Sequence, residues 1–215
     1  MNTKLLMAAA LGYLAGSLPT AYVVTRLAGD TGRDLRTAGT RNPGAWNAAK
    51  VLGLKWGALL LTLDVGLGIV ASAAGRWIAG DNGAYAGGTA AVVGHCFPVW
   101  HGFRGGKAVA TSIGTKLVCF PVYVPVDLAL TSLILLASRG RADMATYLAS
   151  VSFVGTALLW TLKRRGNAWG PRPGVGLPLY AALTSAAIAY RFAAAPPAAP
   201  AAVAPRGETA PAPGS

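Results

Sequence analysis

Apolar stretches of about twenty residues recur along this chain, each long enough to cross the hydrocarbon core of a bilayer as a helix. Backbone N–H and C=O groups inside a membrane must be paired internally, so such runs commit the chain to spanning helices packed on one another. Composition agrees: 53% of the 215 residues are hydrophobic and 12% are charged, about half the charged fraction of ordinary soluble domains. The expected fold class is all-α, a polytopic membrane helical bundle of about six spans. They are placed at 5–25, 56–79, 83–100, 108–138, 143–162 and 175–193. The fourth is too long for one straight helix and holds Lys116, Pro121, Pro125 and Asp127. It can break into a short or re-entrant piece and a full span, which sets the range at five to seven. The first run is too long for the apolar core of a signal peptide and carries Gly-Ser-Leu-Pro in its middle, so it reads as a span.

The net charge of +12 would suggest nucleic acid as the partner of a soluble protein. Here the cations sit in short loops between apolar runs, where they set topology and meet anionic head groups or substrates. The bilayer is therefore the expected partner and nucleic acid is not. With six alternating spans, the basic loops at 26–55, 101–107 and 163–172 fall on one side, and Lys4, Arg76, Arg139 and Arg141 on the other. The positive-inside rule then puts the N-terminus outside and all three basic loops in the cytoplasm. Residues 1–195 form one membrane domain. The Pro/Ala-rich stretch 196–215 lacks hydrophobic periodicity and aromatics, and is expected to be a disordered extension. Cys96 and Cys119 have neither metal nor disulfide-framework spacing and read as buried fillers.

Three polar clusters carry candidate chemistry. GRDLRTAGTRNPGAWNAAK (32–50) gathers Arg36, Thr40, Asn42, Asn47 and Lys50 with glycines that let a ligand approach the backbone. Such donors suit a phosphate; a plain positive-inside loop would explain the cations but not this crowding. GHCFPVWHGFRGGKAVATS (94–112) presents Gly105, Gly106 and Lys107, then Thr111 and Ser112 at the start of the next apolar run. A glycine loop entering a helix N-terminus offers unpaired N–H groups and the positive end of a dipole to an anion; a simple turn with an interfacial lysine is the alternative. The spacing is not that of a nucleotide-binding P-loop. His95 closes the third span, as a structural hydrogen-bonding group or a base. Asp64, in mid-span, requires a partner inside the bundle. LKRRGNAWGPRPG (162–174) supplies Arg164 and Asn167, with a positive-inside anchor as the plainer reading. No metal-ligand set and no Ser-His-Asp or Cys-His constellation can be drawn, so neither metal nor cofactor is expected.

Four of these pieces, AGSLPTAY (15–22), DLRTAGTRNPGAWN (34–47), LDVGLG (63–68) and GHCFPVWHGFRGGKAVAT (94–111), resemble in order and spacing the PlsY family of bacterial membrane glycerol-3-phosphate acyltransferases. That family's pattern runs GS-x-P-x-x-Y, DIR-x-x-GSGN-x-GATN followed by Arg, D-x-x-KG, GH-x-FP, F-x-GGKGVAT and a terminal RH-x-x-N. The resemblance implies acyl transfer from acyl phosphate to the 1-hydroxyl of glycerol 3-phosphate, giving lysophosphatidic acid and phosphate at the cytoplasmic face of the inner membrane. It implies Lys50 and Asn167 on the glycerol 3-phosphate, with Arg36, Thr40, Asn42 and Asn47 beside them. Lys107 and the Gly105-Gly106 backbone meet the acyl phosphate, and His95 and Asp64 organise the site. Thr111 and Ser112 follow in the same motif, and Arg164 and Asn167 fall on the terminal one.

The chain departs from that pattern at several positions. Arg41 and Trp46 stand where the family has Gly and Thr, Lys50 replaces Arg, Leu67 replaces Lys, Ala108 replaces Gly, and Arg164 takes the terminal histidine. A catalytically weak paralogue that binds phosphorylated lipids or regulates the enzyme is thus a second reading, and a small anion transporter a third. The oligomeric state is left open.

Overall fold

The computed structural model describes residues 2–30 and 32–195, and every regular element among them is helical. The expected disordered extension at 196–215 lies outside the described residues. The chain forms α1 (Thr3–Gly16), α2 (Thr20–Leu27), α3 (Ala45–Leu52), α4 (Leu54–Cys96), α5 (Val109–Cys119), α6 (Val124–Ala137), α7 (Ala142–Leu162) and α8 (Gly176–Ala193). By length and hydropathy, α1 with α2, α4 and α7 can cross a membrane, and α5 and α6 are shorter apolar helices.

The expected first span breaks at Ser17–Pro19, because Pro19 has no N–H to continue the ladder. The break starts α2 at Thr20 and turns its hydroxyl toward α4. The second and third expected spans are two halves of α4, which reverses at Ala79 and Gly80, the latter at φ 66°. Contacts across the reversal climb in antiparallel register, Gly75 against Gly83 and Ala71 against Gly87. α1 lies parallel to the second half, with Gly12 against Gly87 and Gly16 against Ala91. A Cβ at any of these glycines would strike a backbone carbonyl. In lipid, where burying apolar surface gains little, such close backbone approach is what holds helices together.

The expected fourth span, 108–138, divides at Phe120–Tyr123 into two antiparallel helices. Descending α5 places Thr115 by Gly88 and Cys119 by Ala84; α6 then returns, so that Lys116 pairs with Asp127 across the bend at 2.7 Å. Phe120, Tyr123 and Phe153 stack around that bend, and Tyr180 meets Phe153 edge-on, in one aromatic core. This division adds a pass, and everything after it changes ends. Among the described residues the helices make seven end-to-end passes, counting each half of α4. The 163–174 loop sits at the end of the α4 reversal: Arg76 donates to the Trp169 carbonyl and the Arg172 N–H to Asp81. α8 then runs back so that Arg191 reaches the loop after α4. The expectation that 163–172 shares an end with 26–55 and 101–107 is therefore corrected, and Arg139 and Arg141 move to the end of those two loops.

Candidate active site

At the end where α1, α2 and both tips of α4 meet, a cavity of about 230 Å³ opens among Thr20, Arg33, Arg36, His95, Arg104 and Gly106. Its floor is the end of α4. His95 Nδ1 lies 3.1 Å from the Thr111 hydroxyl and 4.0 Å from Asp64 Oδ1. Asp64 is itself held by the Thr20 hydroxyl, which donates to Oδ1 at 2.7 Å. With Nδ1 occupied by these neighbours, Nε2 faces Gly106, and a Cβ at that position would press on the ring. Asp64 is thus a fully buried carboxylate with a hydroxyl donor and an imidazole at hand, the partners its depth in the span requires.

Gly105 and Gly106 line the cavity, but their amides are not the anion site the sequence suggests. The Gly105 N–H donates to Cys96 O and the Gly106 N–H to His95 O, each at 3.1 Å. Tucking the loop against the C-terminus of α4 in this way satisfies that helix's last carbonyls. The first amides of α5 have no partner within the helix, but that turn is not part of the cavity's lining. Arg191, which sequence reasoning missed, donates to the carbonyls of both Gly105 and Gly106 and clamps the loop from α8.

Lys107 points away from this cavity. Its Nζ sits 4.0 Å over the Phe192 ring, half-buried. Burial pushes the ammonium below the ordinary lysine range and Arg191 adds to this, while Asp143 pulls the other way. Ser112, on the same side of α5, donates to the Val109 carbonyl and lines a second cavity. Thr111 and Ser112 are therefore separated by the helix they share, Thr111 behind His95 and Ser112 away from it.

The first cluster divides as well. Arg36 lines the cavity and is held by Asp34, with Nε at 3.0 Å and Nη2 at 2.8 Å; hydrogen bonding from Arg36 lowers the Asp34 carboxyl. Asn47 is fully buried and spends its amide on shape: it donates to Leu35 O and Ala38 O and accepts from the Thr40 N–H. Gly39, at φ +58° with no room for a Cβ beside Asn47, is the glycine this fold of the loop needs. Thr40 and Asn42 stay in the neighbouring loop outside the cavity, and Lys50 is exposed over the Trp46 ring at 5.0 Å. The cavity is lined instead by Arg33 and Arg104, cations the sequence offered without any motif to single them out. His101 also lines the cavity.

Arg164 and Asn167 are corrected outright, since both sit at the opposite end of the bundle. Arg164 is exposed, and buried Asn167 donates to Cys119 O at 3.0 Å and Pro171 O at 2.8 Å, capping α5. The signal that could have found Arg191 was its position, an arginine in the last turn of the last apolar run.

A family model described as glycerol-3-phosphate acyltransferase matches residues 6–196. A glycerol-3-phosphate acyltransferase of Maricaulis maris (strain MCS10) is 41% identical over 157 residues, 72% of this chain and 70% of the relative. One of Symbiobacterium thermophilum is 40% identical over 137 residues, 63% of this chain and 67% of the relative. Among solved structures, PlsY (YgiH), an integral membrane glycerol 3-phosphate acyltransferase, superposes in its glycerol 3-phosphate form with a TM-score of 0.71 at 29% identity, covering 88% of each chain. Its lysophosphatidic acid form gives 0.70 at 27% identity over 87% of each chain.

Proposed function

Because the chain belongs to the glycerol-3-phosphate acyltransferase family, we propose that it uses acyl phosphate as donor and acylates the 1-hydroxyl of glycerol 3-phosphate in the Arg33–Arg36–Arg104 cavity. The observation that carries this reading is His95, whose Nδ1 is engaged by Thr111 and Asp64 while Nε2 faces Gly106, in a cavity that three arginines also line. The cations hold the acceptor's phosphate through charge-assisted hydrogen bonds. Nε2 then hydrogen-bonds the attacking hydroxyl and takes its proton as the new ester bond forms. The donor's phosphate leaves toward the α5 N-terminus and Lys107, whose charges stabilise it. A phosphate leaving group needs no strong general acid, and the step requires no covalent enzyme intermediate, metal or cofactor.

The site end carries eleven of the described loop and helix-end cations against six at the other. That asymmetry supports a cytoplasmic site in the inner membrane with the N-terminus outside, even with seven passes. One observation favours a catalytically weak variant of this activity. Laid on Arg191, where α8 meets the glycine loop, the R-H-x-x-N pattern puts Phe192 at the histidine and Ala195 at the asparagine.

The test offers purified protein glycerol 3-phosphate with either acyl phosphate or an acyl thioester. Formation of lysophosphatidic acid and inorganic phosphate from acyl phosphate alone is the expected result. Product from the thioester only overturns the donor assignment, and none from either leaves the weak-variant reading.

A further inference from the structure

A second cavity, of about 90 Å³, lies inside the bundle between α5, α6, α7 and α8, and its composition is unusual for that depth. Ser112, Thr131, Thr146, Ser150, Thr184 and Ser185 line it together with Lys116 and Asp127, and the Ser112, Thr146 and Thr184 hydroxyls donate to carbonyls of their own helices. Both charged residues are more than nine-tenths buried, and Lys116 Nζ meets Asp127 Oδ2 at 2.7 Å while lying 4.7 Å over the Phe153 ring. Asp127 Oδ1 has no hydrogen-bond partner among the described residues. An ionisable pair at membrane depth is expensive and is by default a functional feature. A well-packed apolar pair would serve the bend between α5 and α6 at least as well.

The cavity lies directly beneath the lysine of the glycine loop. Val109 and Ile188 form its upper wall; Val109 is two residues from Lys107, and Ile188 is one turn before Phe192, on which Lys107 rests. Asp143, whose carboxylate acts on Lys107, begins the helix that contributes Thr146 and Ser150. An acyl phosphate with its phosphate at Lys107 therefore has this space in line for its chain. Val109 and Ile188 are apolar, and the lining grows more polar toward Lys116 and Asp127.

We propose that this cavity selects an acyl donor bearing a mid-chain hydroxyl, which donates to Asp127 Oδ1 and is surrounded by the cavity's own hydroxyls. A plain chain leaves the carboxylate oxygen unpaired against methylenes, and sites built to bond a hydroxyl discriminate strongly against analogues that lack it. This proposal rests on the acyl-transfer reading for the identity of the chain, but its test does not require turnover.

Binding of non-hydrolysable dodecanoyl phosphonate is compared by calorimetry with analogues carrying one hydroxyl moved stepwise along the chain. The expected result is one hydroxyl position that binds at least about tenfold more tightly than the plain chain. The preference should vanish in the Lys116→Leu/Asp127→Leu double variant, which removes both charges together and spares the bundle an unpaired one. Equal binding of all analogues to the unmodified protein overturns the proposal whether or not the double variant folds. Persistence of the preference in a folded double variant overturns it too. The corresponding acyl phosphates, assayed with glycerol 3-phosphate, separate the two readings: a hydroxyl preference in binding without any transfer sinks the acyl-transfer step and leaves the pocket standing.

Discussion

Two stretches of this chain look alike in sequence and end up at opposite ends of the molecule. Residues 32–50 and 162–174 both combine arginines, a lysine, an asparagine, glycine and proline beside an apolar run. The first folds over the tips of α2 and α4 and brings Arg33 and Arg36 to a cavity floored by His95. The second closes the far end, where Asn167 caps α5 and Arg76 holds the Trp169 carbonyl. Composition signals an interfacial loop in both cases. Which face that loop occupies depends on the parity of the passes before it, and one bend at Phe120–Tyr123 changed that parity.

The comparison is broken most directly by substituting one histidine and one arginine. His95→Ala should lower acyl transfer by about 10²- to 10⁴-fold, with the thermal unfolding midpoint in detergent little changed. Arg164→Ala should stay within about twofold of the parent rate, and a loss comparable to that of His95→Ala would return the far loop to the active site. Arg191→Ala should cost roughly ten- to a hundredfold by freeing the Gly105–Gly106 loop, partly recovered in Arg191→Lys; equal rates for all three proteins would remove the clamp.

Asn167→Ala tests the same division from the other side. It strands the Cys119 and Pro171 carbonyls, so stability should fall by about 2 kcal/mol, while kcat of the folded protein changes less than about twofold. A selective rise in KM for glycerol 3-phosphate would contradict its structural role. Lys107 gives a pH signature. Its folded-state value is lowered by burial, so as pH rises the ammonium is lost earlier than from an ordinary lysine, and the rate should fall on the alkaline side. Lys107→Arg should move that limb to higher pH, and an unmoved limb assigns it to another group. The mildest perturbation is topological. Cys96 and Cys119 are both buried, so Arg41→Cys and Arg165→Cys can be labelled alone in intact vesicles. A membrane-impermeant maleimide should reach them from opposite faces; labelling from one face would restore the six-span arrangement.

Much of the fold was legible because membrane helices announce themselves through length and hydropathy alone. The expected spans at 143–162 and 175–193 match α7 and α8 almost residue for residue. Around His95, order along the chain was informative as well, since GHCFPVWHGFRGGK contains both the end of α4 and the loop folded back on it. Two kinds of residue were not legible. Arg33, Arg104 and Arg191 carry no local pattern beyond charge. Asn47 and the Gly105–Gly106 amides carry a ligand-binding pattern, yet spend their hydrogen bonds on the protein's own backbone. A donor's type can be read from sequence, but whether it is already satisfied depends on what else the fold brings within 3 Å.

By itself, then, the sequence determined that this is a helical membrane bundle, while the grouping of Asp64, His95 and the glycine loop in one polar centre was implied by the resemblance to the acyltransferase family. The physical reason is that long apolar runs leave a bilayer-bound backbone no other way to pair its polar groups, and that a buried carboxylate must find partners nearby. Only the tertiary structure decided which cations face the cavity, that Lys107 turns onto the Phe192 ring, and that Lys116 and Asp127 meet. Those outcomes follow from a helix reversal eleven residues into α5, where close packing of Gly88, Thr115 and Cys119 and the stacking of Phe120 on Tyr123 fix the bend, and packing between distant segments has no signature in the order of residues along the chain.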